Sequence, residues 1–352
     1  MVSSRQLGQK QRDNIRGASM AQLSSNSAKI ELLARYGTLA PSTHNTQPWK
    51  CKIKGDTLQI FIDFSKKIPV ADPLCRDMYI SLGALIKNVE LAASAFGVEA
   101  RTRSLAKDFD DDLVAEISFP NLDRAKDPAS SPLLEGILRR QNYRGFFTEK
   151  FDEKAFTQVL GAAVKPRSGV SVAAAGEKDV IEALAQLTVK GLRMAYATEE
   201  FRKEISSYIN HNLSRKRRGL HGYSLRLNTP QSFVIPKIMK RKDIGAKLGA
   251  LNYKSFIRSS AVLVLTTQKD TPRDWLEVGK TMEEIMVRAS IAGLATSIYT
   301  AAIEMPGLRQ EVAKTLKLQK SALPQILFCV GTPGEPLSYS VRHNIHKVLQ
   351  KA

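Results

Sequence analysis

Ala40-Pro41-Ser42-Thr43-His44-Asn45-Thr46-Gln47-Pro48-Trp49 is a polar loop bracketed by two prolines. The residue before a proline is driven out of the helical region, so the stretch must end any helix that precedes it. Hydroxyls and amides dominate it, there is no carboxylate, and His44 is the sole base. That donor set holds a polar, planar ligand better than it performs acid–base work. A prolyl loop with ordinary turn chemistry would use the same residues.

Working outward, Lys29 to Thr38 reads as a short helix, with Ile30, Leu33 and Ala34 at helical spacing. Trp49 to Ile53 and Thr57 to Asp63 read as strands turning at Lys54-Gly55-Asp56. A long helix follows, roughly Asp77 to Phe96, apolar over most of its surface and closed by Gly97. Leu113 to Phe119 reads as a strand. Beyond it come helices at Pro132 to Arg140 and Phe156 to Val164, the latter ending near Pro166, with Gln141 to Lys150 a loop between them. A strand at Val170 to Ala175 and helices at Val180 to Met194 and Glu199 to Leu213 precede an irregular basic stretch to about Arg258. Ala261 to Thr267 is a buried strand, Trp275 to Ala292 a second long helix, Thr296 to Ala301 strand or loop, Leu308 to Leu316 a helix and Gln325 to Val330 a strand.

The two long helices repeat one another. Gly83, Ala93, Ser94 and Gly97 match Gly279, Ala289, Ser290 and Gly293 at a single offset of 196. Helix-then-proline also recurs, Ala40-Pro41 against Lys165-Pro166, at an offset of 125. The difference implies an insertion of about 71 residues in the second copy, in the basic stretch after Met194. The chain therefore reads as α+β, with a polar arm over residues 1–27, a first half over 28–130 and a second half over 131–352 that carries the insertion at about 195–258.

The net charge is +19, and Arg215-Lys216-Arg217-Arg218 and Lys240-Arg241-Lys242 lie inside the expected insertion. Anionic partners are implied, but no zinc-finger spacing, aromatic RNA-binding strand or basic-zipper pattern accompanies the charge, so nucleic acid is not expected. Cys51, Cys75 and Cys329 are odd in number and widely spaced, which fits reduced thiols in a cytoplasmic protein rather than a disulfide framework or a zinc site. His343 and His346 make no ligand set with neighbouring carboxylates, so no metal is expected. The arm, with Arg5, Lys10, Arg12 and Arg16, lacks the apolar core of a secretory signal and reads as mobile or surface-hugging. No apolar run reaches the ~18–20 residues of a membrane span.

Arg140-Gln141-Asn142-Tyr143-Arg144-Gly145-Phe146 is the second candidate. In an extended segment alternate residues share a face, so Arg140, Asn142 and Arg144 can converge on a phosphate with a polyol tail; a solvated basic face is the plainer alternative. There is no Gly-x-Ser-x-Gly elbow, Walker loop or Gly-x-Gly-x-x-Gly.

Ala-Pro-Ser-x-x-Asn-x-Gln-Pro-Trp at Ala40 to Trp49 resembles the signature of the nitroreductase family of FMN-dependent oxidoreductases. Arg-x-Asn-x-Arg-x-Phe at Arg140 to Phe146 resembles that family's arginine motif, with Asn142 in place of serine. The order, Pro-Ser loop first, resembles the Acg-like branch, whose single chain mimics the family homodimer and carries a lid insertion. The resemblance spans roughly Lys29 to Val348. It implies FMN held by Arg140, Asn142 and Arg144, with Pro41, Ser42, Thr43, Asn45 and Gln47 closing from the other half. It also implies Glu304 near the flavin N5 side and Arg342 on the phosphate. The catalytic group would be the flavin itself, NADH or NADPH the reductant, and a small nitroaromatic or quinone-like molecule the acceptor. A flavin-binding or sequestering protein under a closed lid is the alternative, and a basic protein binding nucleic acid or anionic lipid is the third. Monomer and homodimer both remain open.

Overall fold

The computed structural model describes residues 4–106, 112–164 and 168–350. The first part of the chain forms α1 (Ser4–Arg16), α2 (Asn26–Gly37), β1 (Trp49–Lys54), β2 (Thr57–Ile62), α3 (Arg76–Ala95), β3 (Arg101–Ser104) and β4 (Leu113–Ser118). Next come α4 (Pro132–Arg139), β5 (Phe147–Thr148), α5 (Glu153–Ala163), β6 (Ser171–Ala175), α6 (Lys178–Ala197), α7 (Glu199–Ser207), β7 (Ile209–Asn210), β8 (Leu220–His221), α8 (Thr229–Arg241) and α9 (Gly245–Phe256). The chain closes with β9 (Ala261–Thr267), α10 (Pro272–Ile291), β10 (Ala295–Ile298), α11 (Ala301–Glu304), α12 (Leu308–Thr315), β11 (Leu323–Pro333) and α13 (Ile345–Val348).

The fold is α+β. One sheet runs β1-β2-β4-β3, and the other runs β6-β9-β11-β10 when read from its β6 edge. All ladders in both are antiparallel. The order is the same, and the long helix follows the second strand in each case, α3 after β2 and α10 after β9. β1 and β2 are joined by a tight turn with Gly55 at φ 56°, whereas residues 176–260 stand between β6 and β9. Counted strand to strand, the extra chain therefore begins before α6, earlier than the position after Met194 expected from the offsets. The Lys165-Pro166 copy of the helix-proline pair lies outside the described residues.

α3 and α10 cross at the centre, and their buried side chains belong to one apolar core that reaches from Ile15 to Val348. The tail returns across the molecule. Leu349 pairs with Cys51 on β1, and the Gln350 amide donates to the Cys51 carbonyl at 2.8 Å.

Two expectations are corrected. The polar arm is a docked helix, α1, whose Gly8, Arg12 and Ile15 are buried at helical spacing. The stretch before Arg258 is not irregular, because α8 and α9 fill it. α8 opens on a capping box between Asn228 and Gln231 with Pro230 in its first turn, where the missing N–H is tolerated, and it accommodates Pro236. Among the described residues no helix is long and apolar enough to cross a membrane.

Candidate functional site

The Pro-Ser loop leaves α2 at Gly37 and is wound tightly. His44, Asn45 and Gln47 all have positive φ, 50°, 55° and 54°, a conformation that non-glycine residues hold only when their surroundings impose it. The restraints are visible. The Ser42 hydroxyl accepts from the Gln47 amide at 3.0 Å, and Thr46 Oγ1 donates to the Thr43 carbonyl at 2.9 Å. Thr43 Oγ1 donates to Asp77 Oδ2 at 2.9 Å, at the start of α3. Asn45 Nδ2 donates to the carbonyls of Val341 (3.1 Å) and Gly219 (3.3 Å). Gln47 Nε2 donates to the Arg217 carbonyl at 2.6 Å, while its Oε1 accepts from the His343 amide at 2.7 Å. Pro41 is half-buried at the loop's entrance.

The arginine motif leaves α4 in extended conformation from Arg140. It runs beside β10, the Tyr143 amide donating to the Thr296 carbonyl at 2.7 Å. Asn142 does not face a ligand pocket with its oxygen, since its Oδ1 accepts from the Ile298 amide at 2.8 Å. Arg140 turns inward. Its Nε lies 2.8 Å from Glu283 Oε1 on α10, and its Nη2 donates to the Leu39 carbonyl. Arg342 reaches the same carbonyl from the tail, Nη2 to Leu39 O at 3.1 Å and to Ala40 O at 3.0 Å, with Nη1 to Asn45 Oδ1 at 2.9 Å. The Pro-Ser loop, the arginine motif and the tail thus meet at Leu39. The Arg342 Nε is buried without a hydrogen-bond partner.

Arg144 differs from Arg140. Its side chain keeps accessible surface, yet it is enclosed by protein, and burial holds its guanidinium below the ordinary arginine range. Among the described residues no hydrogen bond or ion pair engages it. His44 lies near, pushed down to about 4 by burial and then by Arg144. Tyr196 and Tyr299 also face it, both pushed up by burial, Tyr299 to about 12. Glu304, on α11, is raised well above the usual carboxylate range by burial and by Asp77 beside it, against the opposing pull of Arg76. Asp72 is pushed up to about 7 by burial and by Asp77.

The basic segment closes on this region. Arg217 Nη1 donates to the Arg342 carbonyl at 3.0 Å, and the Tyr223 hydroxyl donates to the Tyr339 carbonyl at 3.2 Å. Met239 is buried in a small core with Ile68, Tyr196 and Phe201, and Phe233 stacks on His211 at 4.3 Å with much of its ring exposed. Arg215, Lys216 and Arg218 face outward.

No family model matches the chain. It is 25% identical over 311 residues to the protein named "Putative NAD(P)H nitroreductase acg" of Mycobacterium tuberculosis, covering 87% of this chain and 89% of that one. A second M. tuberculosis protein, named "Putative NAD(P)H nitroreductase Rv3131", is 24% identical over 316 residues, covering 88% of each. The chain is thus similar, over most of its length, to two proteins that carry the name putative NAD(P)H nitroreductase. The crystal structure of an FMN and NADPH-dependent nitroreductase, NfnB, from sphigopyxis sp. strain HMH aligns with a TM-score of 0.42 at 15% identity, over 62% of this chain and 98% of that one.

The sequence patterns did not single out Arg12, Arg76, Asp77, Tyr196, Glu283 or Tyr299 as site residues. Glu283 carried a signal, because a carboxylate on the apolar face of a buried helix needs a cationic partner. Arg76-Asp77 carried another, an ionic pair opening an otherwise apolar helix. Among the described residues no group of three or more His, Cys, Asp or Glu could hold a metal ion.

Proposed function

We propose that the chain is an FMN-binding oxidoreductase that takes hydride from NADH or NADPH and passes it to a small oxidised acceptor of nitroaromatic or quinone type. Its two halves, 28–130 and 131–352, would stand for the two subunits of the family homodimer, a reading supported by the matching strand order of the two sheets. Segment 195–258 would be the lid. Three reduced thiols, all buried, accord with a cytoplasmic protein.

The observation that carries the reading is the meeting of Arg140 and Arg342 at the Leu39 carbonyl; Arg144 of the same motif would line a hollow for the flavin ring. The donor set fits a phosphate-bearing flavin: buried guanidiniums with an orphaned Arg342 Nε at one end, an unpaired Arg144 at the other. Arg140 and Arg342 would hold the phosphate, and Arg144 the pyrimidine edge. Asn45, Gln47 and Asn142 would act through the walls, since their amides are spent on backbone groups. Ser42 and Thr43 would border the flavin from the tight loop.

FMN, when bound, supplies the hydride and electron chemistry. The protein positions and polarises. Arg144 would place positive charge against the flavin's pyrimidine edge, and the bound ring, by displacing water, would strengthen its effect on negative charge there. Glu304, raised above the usual carboxylate range by burial and by the neighbouring Asp77, would border the flavin from α11.

One observation favours the second reading, a sequestering protein of low turnover. The basic segment is hydrogen-bonded directly to Asn45, Gln47 and Arg342, so access to the hollow requires those bonds to part. The test is a visible spectrum after reconstitution with FMN, followed by anaerobic NADH or NADPH. Prompt bleaching supports the reductase and persistence of the oxidised spectrum supports sequestration. Absence of bound flavin overturns both.

A further inference from the structure

α1 lies outside the motifs that carry the family resemblance, yet it is built into the core. A Cβ at Gly8 would stand 2.4 Å from the Tyr339 carbonyl oxygen, so helix and tail touch backbone to backbone. Gln11 grips the next turn of the tail with both ends of its amide. Its Nε2 donates to the Arg342 carbonyl at 2.9 Å and its Oε1 accepts from the Arg342 amide at 2.8 Å. Arg12 then enters the interior. It is 2% exposed, its Nε donates to the Leu138 carbonyl at 2.8 Å, two residues before Arg140, and its guanidinium lies 4.4 Å from the Tyr339 ring centroid.

Three guanidiniums are thereby gathered, Arg12 at 2%, Arg140 at 2% and Arg342 at 6% exposure, against one buried carboxylate, Glu283. Buried charges of one sign in excess are unfavourable unless something neutralises them. Arg12 is pushed down to about 9 by burial and then by Arg140, and Arg342 is lowered by burial, Arg12 and Arg140. Backbone carbonyls satisfy donors but cancel no charge. A dianion does both, and forked guanidiniums suit the three oxygens of a phosphomonoester.

We propose that Arg12 is the third guanidinium of a buried phosphate-monoester site, and that α1 acts as a clamp delivering it. The inference rests on the flavin reading above for the identity of the phosphate. α1 then makes the chain selective for the phosphorylated form of its cofactor, and FMN retention depends on a helix docked from the N-terminal side.

The experiment measures FMN and riboflavin affinities by flavin fluorescence quenching for the wild type, Arg12→Met, Arg12→Lys and Gln11→Ala. Met keeps length and packing while removing the charge. FMN binding is expected to weaken tenfold or more in Arg12→Met and to recover partly in Arg12→Lys, with riboflavin changed less than twofold. Gln11→Ala, which loosens the clamp without touching the guanidinium, is expected to lose FMN and spare riboflavin in the same sense. It carries the test if Arg12→Met fails to fold. Equal losses for both flavins, or no loss for either, overturn the inference. If the wild type binds neither flavin, the flavin reading falls and inorganic phosphate decides for Arg12. Phosphate that raises the melting temperature of wild type but not of Arg12→Met upholds the anion site, and no rise in wild type overturns it.

Discussion

Gly83 and Gly279 meet at the crossing of α3 and α10: a Cβ built on Gly83 would stand 3.0 Å from the Gly279 Cα and 2.0 Å from the Leu276 carbonyl oxygen. A Cβ on Gly279 would stand 1.9 Å from the Ile80 carbonyl oxygen. The neighbours are backbone, so they cannot swing aside. Gly83→Ala or Gly279→Ala is expected to destabilise by about 3 kcal/mol or more, the upper range of core overpacking. Chemical denaturation checks this, and a change under 1 kcal/mol would mean the helices can part at no great cost.

Those helices are legible because apolar residues recur around most of each surface, and their repeat in the sequence pairs Gly83 with Gly279. β9, seven buried residues of Ala261–Thr267, was read to its ends. The site was legible in outline only. Asn45 and Gln47 were placed toward a ligand, but their amides are spent on Val341, Arg217 and His343, partners about 170 to 300 residues away in the chain that no local pattern reveals. α1 was misread because its docking depends on Gln11 and Arg12 bonding to backbone, contacts that hydropathy does not register. α8 was missed because Pro230 and Pro236 resemble breakers, although the first sits where a helix tolerates it.

Glu283 and His44 act on stability with opposite signs. Glu283 is raised from 4.5 to about 7, chiefly by burial, so the folded state holds its proton more tightly than the unfolded chain. Its contribution is full below pH 4.5 and is lost as pH rises through 7. His44 is lowered from 6.5 to about 4, so its contribution is full above pH 6.5 and is lost as pH falls through 4. Each of these displacements corresponds to roughly 3 to 4 kcal/mol at most. Glu283→Gln is expected to remove a decline in stability between pH 4.5 and 7. His44→Asn, which keeps a residue tolerant of positive φ, is expected to remove a rise between pH 4 and 6.5. Denaturation midpoints measured across pH 4 to 8 check both, and parallel profiles for wild type and variants would contradict the assignments.

The clasp between the basic segment and the Pro-Ser loop makes a kinetic prediction. Gln47→Ala removes three hydrogen bonds, of which one, to the Arg217 carbonyl, ties the basic segment; the others go to the Asn45 carbonyl and come from the His343 amide. At about 1 kcal/mol for the bond to Arg217, local opening of residues 211–219 should become about fivefold more frequent. Arg215, Lys216 and Arg218 are outward-facing trypsin sites in that segment. Limited trypsinolysis should therefore cut Gln47→Ala about fivefold faster there, with the global melting temperature little changed. Equal cleavage rates would show that the segment is held by its own core around Met239 and Phe201 instead.

Arg144 offers the sharpest electrostatic test of the hollow. Its guanidinium has no ion pair or hydrogen bond among the described residues, so Arg144→Met should fold with an unchanged melting temperature. If the hollow takes the flavin ring, removing the positive charge disfavours the more negative, reduced form. The two-electron midpoint potential of the reconstituted protein should then fall by tens of millivolts, about 30 mV for each 1.4 kcal/mol of lost stabilisation. Arg144→Lys keeps the charge and should recover most of the difference, which separates charge from shape. The measurement is a dye-equilibrated redox titration of wild type and both variants. A potential unmoved in Arg144→Met would mean that the ring lies elsewhere, and that Arg144 is the solvated member of its motif.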